Sequence, residues 1–305
     1  MTILHNFLYT IIATSTPLVL AALGGMMTRQ VGMFNIGLEG LMTIGAFFGV
    51  YFADYTGSVL GGILLAVVFT VIISLFMAFL SIRLHADIFV VGIAVNIFAT
   101  GLTTFLGLLW TGMQGTMLFK TAPRLKSISI PVLRSIPVIG DFLNNHTALD
   151  YLSIAIVIFM AYLFKRSVYA RHAIAVGMNA EVSKANGISP KKYRYLAYLW
   201  CGVLCGLSGA AMSLPIGMFS SGSVGLTNGR GWTAMAIVIL AAGKPSVALI
   251  AAWALGAISA MGDILQSVSN FPPRLVMALP FIVALIATAV YSSLHRNTGA
   301  AEAGH

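Results

Sequence analysis

FNIGLEGLM, residues 34–42, passes from a polar hinge into an apolar run and sets a carboxylate, Glu39, among residues that read as membrane-embedded. The chain around it is hydrophobic at 59% and charged at only 8%, with a mean hydropathy of +0.95. Soluble domains carry roughly 25% charged residues, so this chain cannot dress a surface for water and must meet lipid. Apolar segments of about 20 residues, each long enough for a hydrocarbon core of about 30 Å, recur along nearly all of it.

Spans are expected near 7–27, 34–52, 58–81, 88–110, 151–165, 195–214, 231–243, 246–265 and 275–292. The fold class is therefore all-α, a polytopic helical membrane protein of about nine transmembrane helices, within a range of about eight to ten. The stretches 151–165 and 231–243 are short for a crossing, so they are tilted, extended by neighbours, or broken half-helices that turn back inside the protein. No sizeable soluble domain fits between spans, and residues 1–305 read as a single transmembrane domain. The opening MTILHNFLYTIIATSTPLVLAAL lacks the basic n-region and small-residue cleavage site of a secretory signal and reads as the first helix. Cys201 and Cys205, the two cysteines, share a helix face at a spacing poor for a disulfide and read as packing residues.

The net charge of +9 is topological information, because basic residues sit in short loops rather than on one face, which argues against a nucleic-acid partner. The segment 165–194 carries Lys165, Arg166, Arg171, Lys184, Lys191, Lys192 and Arg194, and placing it in the cytoplasm also places Arg29, Arg83, Lys244 and Arg296 there. Lys120, Arg124, Lys126, Arg134, Arg230 and Arg274 then lie outside or in a cavity, with the N-terminus out and the C-terminus in. Residues 111–150 form an outer loop and 293–305 a cytoplasmic tail. The outer loop, with Pro123, Pro131, Pro137 and Gly140-Asp141, either docks an extracytoplasmic partner or merely spans a gap.

Catalytic signatures are missing from the sequence. AAGKPS at 241–246 has the GK of a phosphate-binding loop, but Pro follows and no Gly stands five residues before Gly243. There is no HExxH pair, nucleophile elbow or Cys/His cluster, so an enzyme is not expected.

Three segments could carry mechanism. In AVGMNAEVSKANGIS, Asn179 is a plausible N-cap, Glu181 sits in the first turn and Gly187 is a C-terminal stop, giving a lever for a partner protein or a grip on anionic lipid. PIGMFSSGSVGLTNGRGW, 215–232, allows unwound backbone, tolerated at membrane depth only beside protein or a water-filled cavity. In it Asn228 and Arg230 could hydrogen-bond a polar solute and Trp232 could stack on a sugar or base, or the stretch is an outer loop. Glu39, Asn96 and Asp263 are the polar residues within spans that lipid should not meet. Asn35 and Glu39, four apart, either clamp their helix to a neighbour's backbone or to Arg29, or border a solute path. Gly45 with Gly49, and Gly202 with Gly206, read as close-packing faces.

TPLVLAALGGMMTRQVGMFNIGLEGLMTIGAFFGV (16–50), GISPKKYRYLAYLWCGVLCGLSGA (187–210) and GLTNGRGWTAMAIVILAAGKP (225–245) resemble the permease subunits of bacterial binding-protein-dependent ABC importers. The resemblance spans about residues 16–266 and is to the group handling branched-chain amino acids, ribose-type sugars and nucleosides. NIGLEG and NGRGWTAMAIVI are most similar to the nucleoside and simple-sugar uptake permeases. It implies a cytoplasmic (inner) membrane protein with a second, identical or different, permease subunit. It also implies cytoplasmic ABC ATPase subunits that use the ATP and Mg²⁺, an external solute-binding protein, and no cofactor in this chain. Gly177, Asn179, Ala180, Glu181, Ala185, Gly187 and Ile188 then fall in the ATPase-coupling segment, 166–194, although Ala180 stands where the family often has Pro. Asn35, Glu39, Asn96, Asn228, Arg230 and Trp232 become candidates for the translocation path. The expected function is import of a small polar solute, a nucleoside first, a ribose-type sugar or branched-chain amino acid next. An ion-coupled secondary transporter, in which Glu39 and Asp263 carry protons or cations, is the reading from another class.

Overall fold

The structure, a computed structural model, describes residues 2–119, 121–129, 144–222 and 225–268 with isolated positions between 282 and 289; at 2–6 and 263–268 it describes the backbone alone. The expected ninth span at 275–292, the tail at 293–305 and the Asp263 side chain lie outside the described residues.

The helices are α1 (Thr2–Gln30), α2 (Leu38–Thr56), α3 (Val59–Arg83), α4 (Ile88–Thr111), α5 (Ala148–Arg166), α6 (Val168–Met178), α7 (Ala180–Ala185), α8 (Pro190–Ser213), α9 (Arg230–Ala241) and α10 (Pro245–Val268). Among the described residues six are long and apolar enough to cross a membrane: α1, α3, α4, α5, α8 and α10. Helix α2 carries Glu39 and Asp54 and is enclosed by its own chain, with Leu38 and every residue from Gly40 to Val50 buried. A helix wrapped in protein can carry charges that a lipid-facing one cannot.

The bundle is layered accordingly. Helices α1, α2 and α8 form the inner layer, whereas α3, α4 and α5 keep an apolar stripe outward. On α3 that stripe is Leu60, Leu64, Val68, Ile72 and Phe76, with Leu60 71% exposed, a four-residue spacing that puts one helix face toward lipid.

Lipid gives helices no hydrophobic reason to associate, so close contact and hydrogen bonds must hold the inner layer. Gly45 meets the Gly206 backbone, Gly209 faces Met42 and Ala46, and Gly202 and Gly206 lie against Val71 and Val67. Both expected small-residue faces thus pack helix on helix. Ser74 donates to the Tyr198 carbonyl at 2.6 Å, Ser208 to Pro17 at 2.7 Å and Ser15 to Ala252 at 3.1 Å, tying α3, α8, α1 and α10 together. The Cys201 and Cys205 sulfurs lie 4.0 Å apart, free and buried, as packing residues should.

Of the two short stretches, 151–165 is extended. Thr147 caps α5, its N–H and hydroxyl both donating to Asp150 Oδ2 at 2.8 Å, which starts the helix at Ala148 and gives it 19 residues. The other, α9, stays at 12 residues, about 18 Å, too short to cross.

At the end away from Arg29 and Arg83, β1 (Thr116–Leu118) of the long connection pairs antiparallel with β4 (Met218–Ser220) of the Gly/Ser stretch. Strand β2 (Ser127–Ile128) pairs with β3 (His146–Thr147). Thr121 donates to Asp54 and the Leu125 N–H to the Leu214 carbonyl, so the connection folds over the bundle end. Beneath it, Phe48 stacks on Phe69 at 4.1 Å and Tyr51 on Trp110 at 4.4 Å.

Candidate functional site

The Gly/Ser stretch enters α9 through Asn228 at φ +43° and Gly229 at φ +78°, left-handed conformations that suit Gly and that Asn tolerates. Gly229, at the N-cap position, has no side chain to satisfy the orphan N–H groups of the first turn. Glu39 does this from α2. Its Oε1 accepts from Gly229 N–H at 2.9 Å and its Oε2 from Gly231 N–H at 2.6 Å. An anion at a helix N-terminus is stabilised by the helix dipole, and these are charge-assisted hydrogen bonds between partly buried groups. Gly231 must be Gly, because a Cβ there would collide with the Glu39 backbone.

Helix α9 is matched at its other end. Arg29 Nη1 donates to the Val238 carbonyl at 2.6 Å and to Ile239 at 3.3 Å, placing a cation on the negative pole. The half-helix is thus held at both poles, by Glu39 of α2 and Arg29 of α1. Arg29 meets α9 rather than Glu39, so of the two clamps considered for Glu39 the geometry matches the one to a neighbour's backbone.

The α2 start is fixed from two further sides. Asn96 Oδ1 accepts from Gly40 N–H at 2.7 Å, and its Nδ2 donates to the Ile36 carbonyl at 3.1 Å. Asn35 Oδ1 accepts from Gly37 N–H at 2.8 Å and its Nδ2 reaches Cys201 Sγ at 3.4 Å. Asn96 lies eight residues into α4, about 12 Å from that helix's start, so the knot sits well within the bundle.

A cavity of about 620 Å³ opens beside this knot, lined by Glu39, Asn96, Asn228 and Trp232 of the expected residues. Asn35 is buried behind it, and Arg230 is not among its lining residues. Sequence reasoning missed Thr43, Thr100, Thr103, Thr227, Ser220 and Ser221, which supply the wall's hydroxyls. The signal was present on α4, where Asn96, Thr100 and Thr103 recur at helical spacing in an apolar run. The Thr100 hydroxyl donates to the Asn96 carbonyl, which leaves its oxygen as an acceptor, whereas Thr43, donating to the Glu39 carbonyl, is paired with Thr227 at 3.2 Å and the buried Thr103 donates to the Ala99 carbonyl. Ile97, 70% exposed, and Trp232, 45% exposed, add apolar surface.

At the basic end, Asn179 caps α7, its Oδ1 accepting from the Glu181 and Val182 N–H groups at 3.0 Å each. Helix α7 starts at Ala180, so Asn179 alone suffices where Pro is absent. Asn179 also breaks the chain from α6, making two short helices, and Gly187 ends the segment at φ +79°. Asn179, Glu181, Ala185 and Gly187 are exposed, Ala180 and Ile188 half-buried. Gly177 lies against Gln30 and Gly32, so α6 touches the turn that leads from α1 to the Asn35–Glu39 knot.

Residues 7–288 match the family described as "Branched-chain amino acid transport system / permease component". The chain is 32% identical over 263 residues to a Haloferax volcanii protein provisionally named a glucose ABC transporter permease, covering 85% of this chain and 77% of that one. It is 28% identical to a nucleoside ABC transporter permease of Lactococcus lactis subsp. cremoris, covering 91% and 89%. It is 30% identical to a guanosine ABC transporter permease of Bacillus subtilis, covering 90% and 88%. A solved ABC transporter in an inward-facing conformation, provisionally of the metal-chelate type, superposes with a TM-score of 0.53 at 16% identity, over 96% of this chain and 85% of that one, a likeness of fold. The chain belongs to this permease family. It is a multi-pass inner-membrane subunit of an ABC importer and not an enzyme; ATP is hydrolysed on a separate subunit, and solute arrives from a binding protein.

Proposed function

We propose that the chain forms the translocation path for a neutral nucleoside. The observation that carries this reading is the occupied N-terminus of α9. In transporters built on broken helices, such a terminus holds an anionic group of the solute. Here Glu39 already takes the Gly229 and Gly231 amides, and among the described residues no other side chain lining the cavity is ionisable. An amino-acid carboxylate finds no counter-charge there. A neutral solute does find partners: the Thr100 oxygen and the Asn228 amide for hydroxyl and ring donors, and the exposed Trp232 face for a planar base. The relatives named for nucleoside and guanosine transport support this choice. A simple sugar is the second reading, favoured by the hydroxyl-rich wall and the relative named for glucose. Titrating the partner solute-binding protein with nucleosides and sugars tests it: micromolar nucleoside binding is expected, and binding of sugars alone overturns it.

A second permease subunit, identical or different, closes the path on its open side, where Trp232 is exposed and a Cβ on Gly101 would meet nothing. The basic end faces the cytoplasm, with the N-terminus out and the C-terminus in, and residues 1–305 act as one transmembrane domain. No cofactor resides in the chain; ATP and Mg²⁺ stay with the partner. The ATPase pushes on Asn179–Ile188, α6 passes the movement to Gly32 through Gly177, and the α1–α2 turn shifts the Glu39 knot beside the cavity. Gly187→Pro, which removes the turn's amide donor to Lys184, is expected to leave ATP hydrolysis running while uptake falls severalfold in reconstituted vesicles. Normal uptake in that variant overturns the coupling assignment.

A further inference from the structure

A second cavity of about 620 Å³ opens at the basic end, between the last turn of α3 and the α7–α8 corner. Its wall carries His85, Lys184, Lys191 and Arg194 against one carboxylate, Glu181. Two polar atoms of the wall are buried with no hydrogen-bond partner, the Arg194 Nε and the Ser81 Oγ. Buried donors are satisfied in nearly all native structures, so an unpaired guanidinium N–H in the wall of a basic cavity marks a missing acceptor.

The surroundings say what kind of acceptor. The N-terminus of α8, a 24-residue helix capped by Ser189, adds its positive pole to the same wall. A planar guanidinium beside two ammonium groups matches the oxygens of a phosphate. Leu84, 61% exposed, and Val182, 56% exposed, flank the site where the α3 and α8 spans end. Apolar side chains beside a cationic pocket at a span end suit a ligand whose phosphate is carried on an acyl tail.

We propose that this cavity binds a phosphate-bearing anion, and that the headgroup of an anionic phospholipid is its source, seated between the α3 end and the first turns of α8 at Lys191 and Arg194, behind the face that the ATPase meets. The inference does not depend on the solute, and its test is read from lipid and ion binding rather than from uptake.

The assembled transporter, with its ATPase, would be placed in nanodiscs of phosphatidylcholine alone or with phosphatidylglycerol, and retained lipid counted by native mass spectrometry. Wild type is expected to retain phosphatidylglycerol selectively, and Arg194→Gln to lower that retention about tenfold, the scale of one charge-assisted hydrogen bond. Because Arg194 is half-buried and its loss could disturb folding, the exposed pair Lys184→Gln and Lys191→Gln gives a second variant, with the same fall expected. A parallel arm titrates inorganic phosphate against thermal unfolding in the phosphatidylcholine discs. Saturable protection lost in both variants supports the anion site and identifies its ligand as a free phosphate. Retention indifferent to all three basic residues, with no effect of inorganic phosphate, overturns the proposal.

Discussion

Two helix starts in this molecule use the same pair of residue types and put them to different ends. At the start of α2, Asn35 holds the Gly37 N–H and Glu39 sits in the first turn; at the start of α7, Asn179 holds two N–H groups and Glu181 sits in the first turn. Asn179 is exposed and caps its own helix. Asn35 is buried, and the Glu39 carboxylate reaches across the bundle to the N-terminus of α9, 190 positions later in the chain. Burial makes the difference: in water an orphan N–H can turn to solvent, whereas inside a membrane protein it needs a fixed acceptor. Alike in sequence, one start is a local cap and the other a tertiary joint beside the cavity.

The sharpest way to break this contrast is to remove each carboxylate. Glu39→Ala strips two charge-assisted bonds, each worth roughly 1.5–3 kcal/mol, so uptake normalised to inserted protein is expected to fall about 100-fold or more. Glu39→Gln, a neutral acceptor for one of the two amides, should recover part of it. If Glu39→Gln matched wild type, the charge at the pole of α9 would be dispensable and the joint a plain hydrogen-bonding brace. Glu181→Ala should leave solute affinity untouched and lower only the uptake obtained per ATP hydrolysed.

The contact between the two regions comes next in size. A Cβ at Gly177 would run into the Gln30 carbonyl, so Gly177→Ala must shift α6 away from the α1–α2 turn. The expected result is ATP hydrolysis near the wild-type rate with uptake lowered severalfold. Equal loss of both activities would mean that the contact serves folding rather than transmission. Smaller again is Asn179→Ala, which removes an exposed cap worth about 1 kcal/mol; it should reduce coupling modestly, as read by uptake per ATP, and leave membrane insertion unchanged.

The same contrast explains which features the sequence disclosed. Apolar length located the described spans within a few residues, and Asn179, Glu181 and Gly187 were readable as a capped helix because a cap is made by neighbours in sequence. That Glu39 needed a partner followed from the cost of a charge in lipid, but the partner is a pair of backbone amides, which carry no residue-type signal. The β1–β4 pairing was hidden likewise, since three-residue strands joined across about 100 positions leave no periodicity. Thr147 and Asp150 were legible as a capping pair and would have started α5 correctly. The α4 hydroxyls were legible too, as Asn96, Thr100 and Thr103 on one face, yet only the fold turned that face toward a cavity rather than lipid.

Tyr169, on α6 near the start of the coupling segment, should give the smallest effect. Burial first, and then the neighbouring Tyr193, push its phenol up to about 12. Its Oη is buried without a partner, while Tyr193 Oη and His172 Nδ1 share a 2.7 Å hydrogen bond. A folded-state value above the usual phenol range, about 10, means that the stability tied to the neutral phenol is complete below about pH 10 and fades only as pH rises through 12. Between about pH 6 and 9 the group therefore does not titrate. Tyr169→Phe removes a polar atom that makes no bond, so thermal stability should be equal or slightly higher and uptake unchanged across that range. Loss of uptake in Tyr169→Phe would show that the hydroxyl finds a partner in another state of the cycle. The coupling side would then contain a buried polar joint of the same kind as Glu39, and the distinction between an exposed lever and a buried joint would no longer hold.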